Sequence, residues 1–340
     1  MNLTEQVKER NYLFDTFRGL LIWCIPISHF TRVGGDFTQG SLSGIVYITI
    51  NVFVMQAFVF LSGYFSKKPE RARETAFKTF LFPYLLFTVF FYFVRYGLFG
   101  NANLNFVVPP FALWYLLSLF FYRFFLRDIV KIKHVLLLSI LLYLVAGQVP
   151  AFDETLGLGR MVSYFPFFMV GYYCTKEGIE KIQKMRLWQT LILGVVLVGI
   201  SCTLAFFVDV PVGFYLLKGT AASLGMVWYV DILMRAAVFC IAIGWIILMF
   251  NILPKGKNYV SYVGQNTMPI YIFHLIIRYI IKIYGLYAGN VVIYYLLVFG
   301  LASLCVVVLS SPPVVKLYDL FVDSLYNLYL KLKKLVLVKE

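Results

Sequence analysis

The sequence predicts an all-α fold, a polytopic integral membrane bundle of about ten transmembrane helices. Apolar residues make up 61% of its 340 positions and charged residues only 14%, a balance that a soluble domain of this length does not reach. A membrane-spanning helix needs about 20 mostly apolar residues, and such stretches recur along the whole chain. We therefore expect a membrane protein whose mass is mostly buried in the bilayer.

The apolar stretches predict helices at residues 14–32, 43–65, 76–98, 110–127, 134–150, 160–176, 187–208, 223–250, 262–283 and 290–310. The first stretch contains charged residues and has no small-residue cleavage pattern, so we interpret it as a retained helix and not a signal peptide. Segment 209–232 fits either a long loop or a re-entrant segment. Residues 1–311 are expected to form the membrane domain. Residues 312–340 alternate apolar and charged positions, which is typical of an amphipathic helix at the membrane surface.

The positive charge of the chain is concentrated in alternate loops. Most of the 30 lysines and arginines lie in the two termini and in every second loop, which marks those segments as cytoplasmic. An even number of spans then puts both termini in the cytoplasm and the protein in the cytoplasmic membrane. The net charge of +14 thus indicates topology and excludes nucleic acid as a partner. The basic loops also suit membrane lipid headgroups or an anionic cosubstrate.

The first helix contains the most informative polar residues. Charges inside a bilayer are costly unless paired, so they are candidates for function. Asp15 and Arg18 are one helical turn apart and can pair, and His29 lies near the same face, about 16 Å further along the axis. An imidazole is suited to proton transfer near neutral pH. The alternative is structural: an ion pair that anchors the helix end and a histidine that bonds to a neighbouring helix.

Other polar positions leave two interpretations open. Asn266, Tyr271 and His274 put polar groups on an apolar helix, where they need partners, so either packing or chemistry explains them. His134 follows two lysines and is expected at the surface. The basic run 67–78 fits either a topology signal or a phosphate-binding surface. The five cysteines have no metal-ligand spacing, and no metal is expected.

Several segments in chain order resemble the acyltransferase 3 family of membrane O-acyltransferases, in particular its fucose 4-O-acetylase-like branch. Residues 14–19 and His29 are similar to the family's Asp-x-x-Arg-Gly start, which is followed by a histidine eleven residues after the arginine. Segments 60–65, 82–84, 113–116, 164–172 and 266–274 fit the same pattern. Lys78 stands where the family more often has arginine. The resemblance extends from about Asp15 to His274.

The resemblance implies an enzyme, an acyltransferase for groups other than aminoacyl groups. It would transfer an acyl group, usually acetyl, from acetyl-CoA to a hydroxyl of a cell-envelope glycan. Acetyl-CoA is then a cosubstrate, and no tightly bound cofactor is expected. Transport or flipping of a lipid-linked saccharide is the main alternative, and a purely structural membrane protein is a third; a homodimer is left open.

The resemblance also implies roles for individual residues. His29 would be the catalytic residue, either as general base or as transient acyl carrier, assisted by Arg18 and Asp15. The residues implied for coenzyme A are Arg71, Arg73 and Lys78. Those implied for the acceptor are Trp114, Asn266, Tyr271 and His274.

Overall fold

The computed structural model describes residues 11–152, 155–287 and 289–337. The N-terminal segment 1–10, which the charge pattern predicts to be cytoplasmic, and the end of the basic tail, 338–340, lie outside the described residues. Within that part of the chain every regular element is helical. The α-helices are α1 (Leu13–Val33), α2 (Leu42–Tyr64), α3 (Pro69–Ala76), α4 (Phe82–Phe99), α5 (Trp114–Ile129), α6 (Val135–Val145), α7 (Leu158–Tyr173), α8 (Lys176–Ile182), α9 (Leu187–Phe206), α10 (Trp228–Ile252), α11 (Tyr259–Gln265), α12 (Thr267–Tyr284), α13 (Val291–Leu309) and α14 (Pro312–Leu337).

Six helices within the described residues are long and apolar enough to cross a membrane. They are α2, the continuous rod formed by α3 and α4, α9, α10, α12 and α13. All ten stretches predicted from the sequence contain a helix. However, α1 carries three charged residues, and α5, α6 and α7 are only 16, 11 and 16 residues long. The count of ten spans and the orientation of the termini therefore stay predictions.

Helix α1 lies at the centre of the bundle, where it packs against α2, α11, α12 and α13. Its contact with α11 depends on two glycines. A Cβ atom on Gly19 would lie 1.9 Å from the carbonyl oxygen of Val260, and one on Gly264 would lie 1.7 Å from that of Asp15. Small residues allow two helix backbones to approach this closely. The crossing brings the first turn of α1 against the end of α11.

A second close crossing joins α2 to α7. A Cβ atom on Gly63 would lie 2.0 Å from the carbonyl oxygen of Phe168, and one on Gly171 would lie 2.0 Å from that of Phe60. Helices α1, α2, α7 and α12 contribute lining residues to the cavities described below.

The segment that the sequence left open, 209–232, is a series of turns followed by a helix. Short 3-10 turns occupy Val212–Leu216 and Ala222–Leu224, and Gly225 then takes the left-handed conformation with φ +67°. That conformation ends the turn, so α10 begins at Trp228 and not at 223 as predicted. Asp231 consequently lies inside α10, where its carboxylate pairs with Arg235 at 2.9 Å.

The C-terminal tail forms one long helix, α14, as its alternating pattern predicts. One face packs on the bundle, where the ring of Tyr318 stacks on Phe87 at a centroid distance of 5.9 Å. Other apolar side chains of α14, such as Leu317 and Leu335, are exposed. Its placement at the membrane surface stays a prediction.

Candidate active site

Four cavities follow one another through the bundle. We call them the basic-end cavity (about 790 Å³, bordered by Lys68 and Arg71), the Arg18 cavity (about 310 Å³), the His29 cavity (about 250 Å³) and the vestibule (about 580 Å³, bordered by Lys282). The basic end is the end of the bundle at which the loop 65–68 connects α2 to α3, and the vestibule lies beyond the opposite end of α1.

Adjacent cavities share lining residues, so each cavity lies directly beside the next. Phe65 and Arg123 line both the basic-end cavity and the Arg18 cavity. Ile25, Met55 and Tyr271 line both the Arg18 cavity and the His29 cavity. The His29 cavity and the vestibule have five lining residues in common, which are Phe111, Trp114, Arg160, Leu216 and Arg278.

Two histidines meet beside the His29 cavity. Nδ1 of His29 lies 2.9 Å from Nε2 of His274, and Nδ1 of His274 lies 2.8 Å from the carbonyl oxygen of Ile270. A carbonyl oxygen only accepts, so His274 donates through Nδ1, and its Nε2, when the ring is neutral, accepts from Nδ1 of His29. The remaining lone pair of His29 is therefore on Nε2. This bonding pattern leaves a basic nitrogen on a side chain that lines the cavity.

Asp15 and Arg18 form the ion pair that their spacing predicts. Nη2 of Arg18 lies 2.7 Å from Oδ1 of Asp15, and Nε2 of Gln265 donates to the other carboxylate oxygen at 3.2 Å. Asp15 is buried, with 3% of its surface exposed, whereas Arg18 lines the Arg18 cavity. The Nε of Arg18 is buried and has no hydrogen-bond partner among the described residues. The ion pair thus holds the Arg18 guanidinium at the cavity wall, and its Nε–H can still donate a hydrogen bond.

The three residues assigned to coenzyme A by resemblance lie in different surroundings. Arg71 lines the basic-end cavity. Arg73 pairs with Asp128 at 3.3 Å, and Lys78 pairs with Asp323 of α14 at 3.0 Å. Arg71 is therefore the member of this set that borders a cavity, and the roles of all three stay predictions.

Lys67 precedes this set and has a structural partner. Its ammonium group donates to backbone carbonyl oxygens at the end of α7, those of Gly171, Tyr172 and Cys174, which a helix C-terminus leaves unpaired. Burial lowers the pKa of Lys67. Lys67 thus fastens the basic loop to α7.

The residues assigned to the acceptor are divided between the cavities and the helix packing. Trp114 lines the His29 cavity and the vestibule, and Tyr271 lines the His29 and Arg18 cavities. The Tyr271 hydroxyl donates to the carbonyl of Ala112. Asn266 lies at the break between α11 and α12, where its amide donates to the carbonyl of Tyr262 at 2.9 Å. It borders none of the four cavities.

Comparison with known protein families identifies the family of the chain. The family model of the acyltransferase 3 family, described as an acyltransferase domain, matches residues 11–311. The chain belongs to the acyltransferase 3 family. No curated protein matches the chain, and no solved structure does. Membership supports membrane acyltransferase activity, and the match ends where the C-terminal helix α14 begins.

Three arginines of this acyltransferase 3 domain each line two adjacent cavities, although the sequence pattern assigned them no role. Arg123 lines both cavities nearest the basic end, while Arg160 and Arg278 line both the His29 cavity and the vestibule. A signal for the latter two was present in the sequence, since both depart from the one-sided distribution of positive charge. No such signal marked Arg123, because it lies in the second half of α5, next to a segment whose basic residues follow the predicted cytoplasmic charge pattern.

Proposed function

We propose that the protein is an O-acetyltransferase of the cytoplasmic membrane. It would move an acetyl group from acetyl-CoA to a hydroxyl of a cell-envelope glycan, as in the fucose 4-O-acetylase-like branch of the family. The observation that carries the proposal is the free lone pair on Nε2 of His29, on a side chain that lines a cavity with neighbouring cavities on both sides, toward the two ends of the bundle. A transferase with a donor and an acceptor on opposite sides of a membrane needs such an arrangement.

The donor is proposed to enter from the basic end, which the charge distribution predicts to be cytoplasmic. Lys68, Arg71 and Arg123 border the entrance and would bind the phosphates of coenzyme A, since guanidinium and ammonium groups are the usual phosphate ligands. The thioester arm would extend through the Arg18 cavity. Arg18 lies about 16 Å from His29 along the helix axis, which requires a long, thin donor arm of the kind that coenzyme A has.

In the chemical step, Nε2 of His29 takes the proton of the acceptor hydroxyl. The hydroxyl oxygen attacks the thioester carbonyl carbon, and a carbon–oxygen bond forms. The carbon–sulfur bond then breaks, and the departing coenzyme A sulfur receives the proton from His29 to become a thiol. Nε2 of His274 accepts a hydrogen bond from Nδ1 of His29 throughout the reaction and so orients the ring. The third member of a catalytic triad orients its histidine in the same way.

A direct transfer assay tests the proposal. Purified protein in liposomes is given radiolabelled acetyl-CoA and a panel of envelope glycans, and the wild type is compared with His29→Ala and His134→Ala. We expect transfer by the wild type and by His134→Ala, and a loss of roughly 10²–10⁴-fold in His29→Ala, the range for a general base. Label that remains covalently attached to His29 would contradict direct transfer. Movement of a saccharide that survives His29→Ala, without acyl transfer to any glycan, would instead establish a transporter.

A further inference from the structure

The vestibule next to the His29 cavity is strongly cationic. Five basic side chains line it, namely Arg95, Arg160, Lys218, Arg278 and Lys282, and the described residues that line it include no carboxylate. Asp153 and Glu154 lie outside the described residues. Even if both were counted fully against the five cations, positive charge would remain in excess.

Three of the five vestibule cations, Arg160, Arg278 and Lys282, lie near the faces of aromatic rings. The guanidinium carbon of Arg278 lies 3.9 Å from the ring centre of Phe111, and the ammonium of Lys282 lies 5.9 Å from that of Phe99. An aromatic face attracts a cation without neutralising its charge. Arg160 and Lys218 have further contacts, so we assign the uncompensated charge to Arg278, Lys282 and Arg95. The described residues contain no ion pair of these three.

A buried arginine elsewhere in the same bundle shows how the protein neutralises a cation that has a structural role. Arg235 has 1% of its surface exposed, and its guanidinium pairs with Asp231 at 2.9 Å and donates to Ser163 at 3.0 Å. That arrangement satisfies the charge inside the protein, as packing requires. Arg278 is half-buried, faces two cavities and lacks such a carboxylate in the described part of the chain. Its charge is available to a ligand.

The vestibule and the histidine pair share one face of α12. His274, Arg278 and Lys282 are four residues apart, so they form one stripe of the helix. Each step along the stripe advances about 6 Å. The Arg278 position therefore lies about 6 Å beyond the His29–His274 pair, about the width of one sugar ring, and the Lys282 position lies one further step out.

We infer that the acceptor is an anionic saccharide, whose phosphate or carboxylate binds Arg278 within about one sugar residue of the reacting hydroxyl. This inference rests on the proposed function and adds the chemical class of its acceptor. Arginine binds the planar or tetrahedral oxygens of both anions through paired hydrogen bonds. The aromatic side chains that carry the cations also suit the apolar faces of a sugar ring. The vestibule volume of about 580 Å³ lies within the usual range for small-ligand sites.

Two matched pairs of probes test the inference by direct binding. Cellobiose is compared with cellobiouronic acid, and glucose with glucose 6-phosphate, by equilibrium dialysis against purified protein with no donor present. We expect at least one charged sugar to bind roughly tenfold or more tightly than its neutral partner, as a charge-assisted hydrogen bond does. The preference should weaken at high salt and should show which anion the site accepts.

Variants then locate the binding site. Arg278→Gln and Lys282→Gln should abolish or reduce the charged-sugar preference, Arg278→Lys should retain part of it, and Lys331→Gln on α14 should leave it unchanged. In the transfer assay Arg278→Gln should raise the KM for the charged acceptor and leave the KM for acetyl-CoA as it was. Because Lys282 is exposed in the vestibule, Lys282→Gln still tests the inference if Arg278→Gln fails to fold.

Equal binding of charged and neutral sugars would overturn the inference, as would a charge preference that survives both glutamine variants. Displacement of bound charged sugar by phosphatidylglycerol vesicles, with equal potency in wild type and Arg278→Gln, would assign the binding to the lipid-facing surface and also overturn it. A charged-sugar preference at Arg278 without any acetyl transfer would support the anion site while contradicting the proposed function.

Discussion

At the scale of single residues, one backbone carbonyl determines the chemistry of His29. The carbonyl of Ile270 requires a hydrogen on Nδ1 of His274, which makes Nε2 of His274 an acceptor and puts the hydrogen of His29 on Nδ1. A histidine occupies the position at which many hydrolases place an aspartate. It supplies the orientation without adding a negative charge to the bilayer interior, where charge is costly.

His274→Ala is expected to reduce the rate of acyl transfer by roughly 5- to 150-fold, because loss of a buried hydrogen bond of about 1–3 kcal/mol lets the His29 ring rotate. The KM for acetyl-CoA should stay the same. His274→Gln keeps an acceptor oxygen near the position of Nε2 and should recover part of kcat. Steady-state kinetics of the two variants measure this. Equal losses in both variants would show that His274 only fills space.

Arg18→Ala is expected to impair use of the donor, since Arg18 borders the Arg18 cavity and retains an unpaired buried Nε. We predict a roughly tenfold or larger increase in the KM for acetyl-CoA, the effect of removing a charge-assisted hydrogen bond. Arg18→Lys should be intermediate, because lysine lacks the planar fork of arginine. The control is His134→Ala at the surface, and equal KM values in Arg18→Ala and this control would exclude Arg18 from donor binding.

At the scale of helices, the sequence predicted where each helix lies better than where one helix ends and the next begins. Runs of apolar residues are long enough to locate each helix, but the break at Asn266 between α11 and α12 falls inside the single helix predicted for 262–283. Its short polar stretch, residues 264–267, is also compatible with a continuous helix. The close crossing at Gly19 and Gly264 could not be predicted either, because a glycine indicates such a crossing only when the opposing helix is known. For the same reason, the contact between His29 and His274 could not be predicted from the sequence. Both were recognised as polar residues in apolar helices, but a contact across 245 positions of sequence needs the fold.

Gly264→Ala is expected to destabilise the protein by about 1–3 kcal/mol, the usual cost of inserting a methyl group into a tightly packed contact. The added Cβ would meet the Asp15 backbone at 1.7 Å and push α11 away from α1. The thermal midpoint in detergent measures the loss. Gly300→Ala on α13 is the matched control, because a Cβ there meets nothing within 4 Å and alanine favours the helix. Equal midpoints for the two variants would mean that the crossing relaxes at no cost.

At the scale of the whole molecule, the distribution of positive charge relates topology to the path of the substrates. Most basic residues follow the alternate-loop pattern and identify the predicted cytoplasmic side. Of the cations that depart from it, Arg32, Arg160 and Arg278 line the His29 cavity, and Arg95, Lys218 and Lys282 line the vestibule. A cation held away from the cytoplasmic side opposes the insertion preference, so it is a candidate for function unless, like Arg235, it pairs with a carboxylate inside the bundle. The sequence therefore contained the members of the cationic site, and the fold supplied their common location.

The boundary between the Arg18 cavity and the His29 cavity gives a prediction for the whole molecule. Met55 lines both the Arg18 cavity and the His29 cavity, so Met55→Trp should fill the passage that the thioester arm must take. Binding of radiolabelled coenzyme A should persist, because the basic-end entrance is unchanged, while acyl transfer falls roughly to the level of His29→Ala, a loss of about 10²–10⁴-fold. Met55→Ala widens the passage and should retain transfer. Val195→Trp introduces the same side chain on α9, at a position where valine has 72% of its surface exposed, and should leave acyl transfer unchanged. Full transfer by Met55→Trp would mean that the donor reaches His29 by another route, and loss of coenzyme A binding together with transfer would place the donor deeper than the basic-end cavity.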